Sequence, residues 1–140
     1  MALAVRFFGS YEHSLDAKGR VILPARLRTH FEGAGYLTPH LEGCLALWTD
    51  GEFEKEIESR LALADTDTVA RNEVRNWAAA VFETEIDRQG RMPIPPNLRS
   101  YAGLVEDVLI VGMINRVELW SPDAWAAKQM NDGANSARSK

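Results

Sequence analysis

The sequence repeats itself, and the repeat narrows the possible folds more than any other feature. Leu15-Asp16-Ala17-Lys18-Gly19-Arg20 returns 71 positions later as Ile86-Asp87-Arg88-Gln89-Gly90-Arg91. The same offset carries Leu23-Pro24 onto Ile94-Pro95 and Leu27-Arg28 onto Leu98-Arg99. After one inserted residue, Leu47-Trp48-Thr49 matches Leu119-Trp120-Ser121, and Phe53 falls on Trp125. A unit of about 45 residues with a few short strands cannot bury enough apolar surface to stand alone. The two copies are therefore expected to interleave around one core as a pseudo-twofold β-barrel, α+β in class with strands dominating.

Each copy reads alike. Ser10 to Leu15 alternates Tyr11, His13 and Leu15 with polar neighbours, the period of a strand. Asp-x-x-Gly then makes a turn, because Asp bonds the backbone ahead of it and Gly takes a positive φ at little cost. The strand resumes over Arg20–Leu23, and a short helix over Pro24–Phe31 starts on proline and stops before Gly33. Further strands are predicted near Gly35–Thr38 and Cys44–Trp48, and in the second copy at Asp107–Gly112 and Arg116–Trp120. Thr49 or Asp50, and later Ser121, are suited to cap a following helix. Between the copies, Phe53, Ile57, Leu61 and Ala64, then Ala70, Val74, Trp77, Ala78 and Val81, mark two amphipathic helices. The cap-rich run Asp65-Thr66-Asp67-Thr68 separates them. From about Lys128 the chain turns polar and is expected to fray.

Charge decides little by its total and more by its distribution. The net charge of −4 argues against phosphate binding if it is spread evenly. It is not: residues 1–31 carry five cations against two acids, and residues 50–76 carry eight acids against four cations. No apolar run approaches the ~20 residues of a membrane span, and the start lacks a signal-peptide pattern. Cys44 is the sole cysteine, so no internal disulfide is possible and a cytoplasmic home is expected. His13, His30 and His40 are scattered, without the close Cys or carboxylate spacing of a metal site, and Cys44 sits in an apolar strand pattern suited to the core. There is no Gly-rich phosphate loop. No enzyme, cofactor, metal or small-molecule substrate is expected. Trp48, Trp77, Trp120 and Trp125 are expected in the core or at a subunit interface rather than as base-stacking platforms.

With the doubled Asp16…Arg20 and Asp87…Arg91 pattern, Phe8-Gly9 ahead of it and Glu118-Leu119-Trp120 near the end, the chain resembles the MraZ family over about residues 8–126. The resemblance implies two AbrB-like swapped-hairpin modules, at 8–53 and 81–126, a helical-hairpin connector at 54–80 and a flexible tail at 127–140. It also implies a nucleoid-associated transcriptional regulator that forms a ring-like homo-oligomer. Such a regulator binds double-stranded DNA at repeated promoter elements of an operon for division and cell-wall functions. A ring that binds proteins and makes no direct DNA contact is the alternative.

The residues that fit DNA contact are cationic and sit at or beside the turn. Lys18 and Arg20 flank Gly19, so their heads project together from a tight corner. Arg's planar fork suits guanine O6 and N7 or a phosphate, and Lys acts as a point charge. Asp16 would buttress Arg20; a surface ion pair of little energy is the competing reading. Arg26 and Arg28 lie on the helix beside the turn, where a solvated face is equally consistent. Arg91 is either a second contact or a structural partner of Asp87 beside Gly90. Gln89 replaces Lys18 and Asn97 replaces Arg26 in the second copy, which points to the first copy as the main contact surface.

Overall fold

Pairing between the copies of the repeat, added to the β3-β4 and β7-β8 hairpins within them, organises the chain. In the computed structural model, which describes the backbone of residues 5–138 and the side chains of residues 5–133, eight strands and five helices follow in order. The first half holds β1 (Ser10–Ser14), β2 (Arg20–Ile22), α1 (Ala25–Arg28), β3 (Ala34–Pro39), β4 (Leu45–Trp48) and α2 (Asp50–Ala64). Helix α3 (Thr68–Ala80) leads into the equivalents β5 (Phe82–Glu85), β6 (Arg91–Pro93), α4 (Pro96–Ala102), β7 (Asp107–Gly112), β8 (Val117–Trp120) and α5 (Pro122–Arg138). All pairings are antiparallel, in a six-stranded sheet ordered β1-β7-β8-β4-β3-β5 and a two-stranded ribbon β2-β6.

The registers obey the repeat. β1 on β7 mirrors β5 on β3, and the self-equivalent pairs β2-β6 and β4-β8 bring matched residues face to face, Val21 against Met92 and Ala46 against Glu118. A pseudo-twofold axis therefore passes through both pairs. The ladders are two, however, and not one continuous barrel wall. At each corner the link between sheet and ribbon is a local turn: Asp16 N–H donates to the Arg20 carbonyl (2.8 Å) and Asp87 N–H to the Arg91 carbonyl (3.1 Å).

One face of the central strands supplies the core. Leu45, Leu47, Val117 and Leu119 join Val21, Met92, Leu23 and Ile94 in a single buried cluster. The opposite face is not wet. Ala46 and Trp48 pack under the helical hairpin against Phe53 and Trp77, while Trp120 meets Trp125 of α5 at 5.4 Å between ring centroids. This double burial is why all four residues of both β4 and β8 are buried. The caps fall where side chains can supply them. Thr49 Oγ1 accepts from Glu52 N–H, Asp67 Oδ1 from Ala70 N–H and Ser121 Oγ from Ala124 N–H, each satisfying a donor left over in a first helical turn.

Two expectations need correction. Helix α1 is one turn, Ala25–Arg28, and the chain to Phe31 continues through i→i−3 bonds from His30 to Leu27 and Phe31 to Arg28. The segment from Lys128, expected to fray, is helix to Arg138. Lys128 Nζ pairs with Glu42 at 2.9 Å and with Asp132 at 3.1 Å, tying α5 to the β3-β4 turn. No helix among the described residues is long and apolar enough to cross a membrane.

Candidate nucleic-acid interface

The two Asp-x-x-Gly-Arg turns are built by the same set of bonds. In the first, Gly19 N–H donates to the Asp16 carbonyl at 3.0 Å, and Gly19 adopts φ +74. Asp16 Oδ1 accepts from the N–H groups of Lys18 (2.9 Å) and Arg20 (3.0 Å), and Oδ2 accepts from Arg20 Nε (2.8 Å). In the second, Asp87 Oδ1 accepts from Gln89 and Arg91 N–H, both at 2.9 Å, and Oδ2 from Arg91 Nε at 2.7 Å. The Arg20 backbone N–H bond is the largest of the effects holding the Asp16 carboxyl below its ordinary pKa, and the Arg91 N–H does the same for Asp87. Both acids therefore stay ionised and both arginines are gripped at Nε. The η nitrogens of Arg20 and Arg91 make no hydrogen bond among the described residues, and Lys18 is exposed with no ion pair there. An arginine held at its base with a free fork is arranged to receive a phosphate or a base edge.

The turns stand at opposite ends of the β2-β6 ribbon. Ile94 N–H donates to the Gly19 carbonyl (3.0 Å) and Leu23 N–H to the Gly90 carbonyl (2.8 Å), so four residue steps along the ribbon separate the corners, roughly 13 Å. Arg20 and Arg91 both line one groove of about 430 Å³ beside the ribbon, which Glu83 and Glu85 line as well.

Each corner also receives an arginine from the other half. Arg28 Nη1 donates to the Arg88 carbonyl at 3.0 Å, and its guanidinium covers Gly90, where an added Cβ would lie 2.7 Å from Arg28 Cζ. Arg99, the repeat equivalent of Arg28, covers Gly19 in the same way, at 2.9 Å. Arg28 is therefore packed across the second corner and does not stand on a solvated face, whereas Arg26 is exposed and bonds to neither turn. Arg99 and Arg88 were missed by sequence reasoning. The repeat offset that pairs Leu27-Arg28 with Leu98-Arg99 pointed to the first, and Arg88 in place of Ala17 offsets the exchange of Lys18 for Gln89. Counting Arg28 and Arg99, the two corners carry equal formal charge.

A second cluster lies away from the corners. His40 and Cys44 flank the β3-β4 turn, where His40 N–H donates to the Cys44 carbonyl (2.9 Å), and Glu118 projects from β8 beside them. Their ligating atoms lie within 4.8 Å of one another. Burial pushes the Cys44 thiol up to about 12, and burial with the neighbouring Arg116 holds His40 below its usual value. Sequence spacing gave no hint of this group because Glu118 reaches it through strand pairing.

Comparison with known proteins agrees with the repeat. The family described as "MraZ protein, putative antitoxin-like" matches residues 7–76 and again 78–140. A Lactobacillus delbrueckii subsp. bulgaricus protein named "Transcriptional regulator MraZ" is 42% identical over 132 residues, covering 94% of this chain and 90% of its own. Proteins of the same name from Acetivibrio thermocellus (44% over 120 residues; 85% and 83% covered) and Thermomicrobium roseum (41% over 122; 87% and 86%) are similarly close.

Proposed function

The chain belongs to the MraZ family, and from that premise we propose that it is a non-enzymatic transcriptional regulator that binds double-stranded DNA through its two turn corners. The observation that carries this reading is the pair of matched corners in which Asp16 and Asp87 grip Arg20 and Arg91 at Nε and leave their forks free. Lys18 and Arg88 add exposed cations beside them. Asp16, Gly19, Asp87 and Gly90 act as the frame, Arg28 and Arg99 brace it, and Arg26 contributes at most a peripheral phosphate contact. Sheet and ribbon together are read as two interleaved swapped-hairpin modules, 8–53 and 81–126, forming one barrel whose wall passes from sheet to ribbon through the two corner turns, with 54–80 as connector.

One subunit offers few phosphate contacts, so a homo-oligomer facing repeated promoter elements supplies the rest by raising the effective concentration of each later contact. The apolar groove of the hairpin, lined by Phe53, Ile57, Leu61, Val74 and Trp77, supports self-association there. Cytoplasmic, nucleoid-associated action on the chain's own division and cell-wall operon follows from the same premise.

The test is a gel shift with DNA from upstream of the chain's own gene, comparing wild type with Lys18→Ala/Arg20→Ala, while light scattering follows assembly. We expect the double variant to assemble normally and lose at least about tenfold in affinity, as removal of two cations from phosphates implies. Unchanged binding refutes the corners as the contact. Lost assembly with intact binding would favour the ring without DNA contact.

A further inference from the structure

We propose that His40, Cys44 and Glu118 form a binding site for one borderline-soft divalent metal ion of the zinc class. One hairpin and one neighbouring strand deliver the ligands. The β3-β4 hairpin closes tightly through Gly43 N–H to the His40 carbonyl (3.0 Å), with Gly43 at φ +87, which sets His40 and Cys44 at the feet of adjacent strands. The β4-β8 register, with Ala46 opposite Glu118, places the carboxylate on the same sheet face. Thiolate, imidazole and carboxylate are a donor set for zinc and its neighbours, not for magnesium or calcium.

The surroundings fit such a site. Cys44 is 0% and Glu118 5% exposed, so water competes poorly for the ion. Bonds of about 2.0–2.3 Å to the metal require ligand atoms roughly 3.3–3.8 Å apart, so a group already within 4.8 Å needs a contraction of about an ångström. Among the described residues His40 Nδ1 is buried without a hydrogen-bond partner, Glu42 Oε1 lying 3.9 Å away, a state that buried polar atoms seldom keep. Trp120 Nε1 donates to Glu118 Oε1 at 3.0 Å, and the Tyr101 hydroxyl donates to the His40 carbonyl. Both bonds orient groups of the site from outside it, as supporting shells do.

Arg116 is the competitor. Its Nη2 lies 2.8 Å from Glu118 Oε2 and 3.5 Å from His40 Nε2, so the guanidinium neutralises the carboxylate until an ion displaces it. Nε also donates to Glu118 Oε2 at 3.0 Å and Nη1 to Asn115 Oδ1 at 3.1 Å, so an incoming ion must displace both guanidinium contacts to the carboxylate. On binding, bonds form from the metal to Sγ, to one imidazole nitrogen and to one carboxylate oxygen. The Cys44 S–H bond breaks and its proton leaves to solvent, and His40 and Glu118 enter as neutral ring and anion. Three protein ligands leave the fourth position to water.

The experiment uses the full chain, stripped of metal by a chelator and titrated with Co²⁺, then with Zn²⁺ against a chromogenic chelator. Expected are one equivalent of Co²⁺ per chain, a near-ultraviolet thiolate-to-cobalt absorption, and its displacement by Zn²⁺. Cys44→Ala abolishes the absorption, and Glu118→Gln weakens binding by at least about tenfold. Arg116→Gln, which frees Glu118, binds more tightly. Absence of the thiolate–cobalt band in wild type overturns the proposal without reference to any variant. Weaker or unchanged binding by a folded Arg116→Gln chain removes Glu118 from the site and overturns it as stated.

Discussion

Alanine at the two turn glycines should destabilise the chain unequally, and the inequality follows from what each added methyl group meets. Both positions have positive φ, +74 at Gly19 and +85 at Gly90. An L-residue there costs about 1–2 kcal/mol in either case. At Gly19 the new Cβ meets the far end of Arg99, at 2.9 Å from Cζ and Nη1, and a flexible side-chain tip can withdraw. At Gly90 it meets the Arg28 guanidinium at 2.7 Å and also the Leu23 carbonyl oxygen at 2.8 Å. That carbonyl is backbone, and Leu23 N–H is the donor of the ribbon bond to the Gly90 carbonyl, so relief on this side strains or breaks a bond worth about 1 kcal/mol. Gly19→Ala should therefore cost about 1–2 kcal/mol and Gly90→Ala about 2–3 kcal/mol. In a chain of this length each kcal/mol shifts Tm by about 3–4 °C. Urea denaturation at constant slope gives the same ranking through the midpoint. Adding Arg28→Ala to Gly90→Ala tests the cause, because only the part of the clash that falls on the guanidinium is recovered. Equal losses at the two glycines, or a larger loss at Gly19, would refute the argument that the backbone contact sets the difference.

Two further outcomes are expected. The logarithm of the DNA association constant should fall by about 0.9 per phosphate neutralised for each tenfold rise in salt, and adding a second promoter element should tighten binding far more than twofold; a flat salt response measured by fluorescence anisotropy counts against phosphate contact. Stability should fall with acid in two stages, followed by circular dichroism. His40 has a folded pKa below its ordinary 6.5, so the unfolded chain takes the proton first, and stability is full above about 6.5 and declines as pH drops toward the folded value. Asp16 and Asp87 are also held below their ordinary 3.8, so their contribution is present above that value and is lost only as pH falls through it, and His40→Gln should remove the first stage alone.

How much of this was legible depends on how local each signal was. The turns were readable because Asp and Gly fix them within five residues, and the hairpin helices because Phe53, Ile57, Trp77 and Val81 recur at helical spacing. The repeat carried the element order across both halves. What it did not give was direction across the fold. From its own neighbours Arg28 fitted a DNA contact and a solvated helix face equally, and only the β2-β6 pairing brings it over Gly90. The extension of α5 was hidden because its support is distant: Lys128 is held by Glu42 on the β3-β4 turn. His40, Cys44 and Glu118 were hidden for the same reason, since strand register assembles them and spacing does not.

The pseudo-twofold axis explains where the halves agree and where they part. Off the axis, each element of the repeat meets a different element of the other half, so one design serves twice, and the Asp, Gly and Arg of both corners are kept with their bonds. On the axis a residue meets its own equivalent. Two glutamates at the Ala46–Glu118 pair would set like charges opposite one another under a covering layer of tryptophans, which is destabilising. A single chain escapes this constraint because the facing positions are encoded separately, and here one is alanine and the other glutamate. By strand register the equivalents of His40, Cys44 and Glu118 are Met113, Arg116 and Ala46, and the bond from His40 N–H to the Cys44 carbonyl is mirrored by Met113 N–H to the Arg116 carbonyl. A thioether, a guanidinium and a methyl group do not reproduce the donor set of the cluster. The cluster includes a residue on the axis and is present once, whereas the corners lie off the axis and are present twice, so the two sites answer differently to the symmetry of the fold.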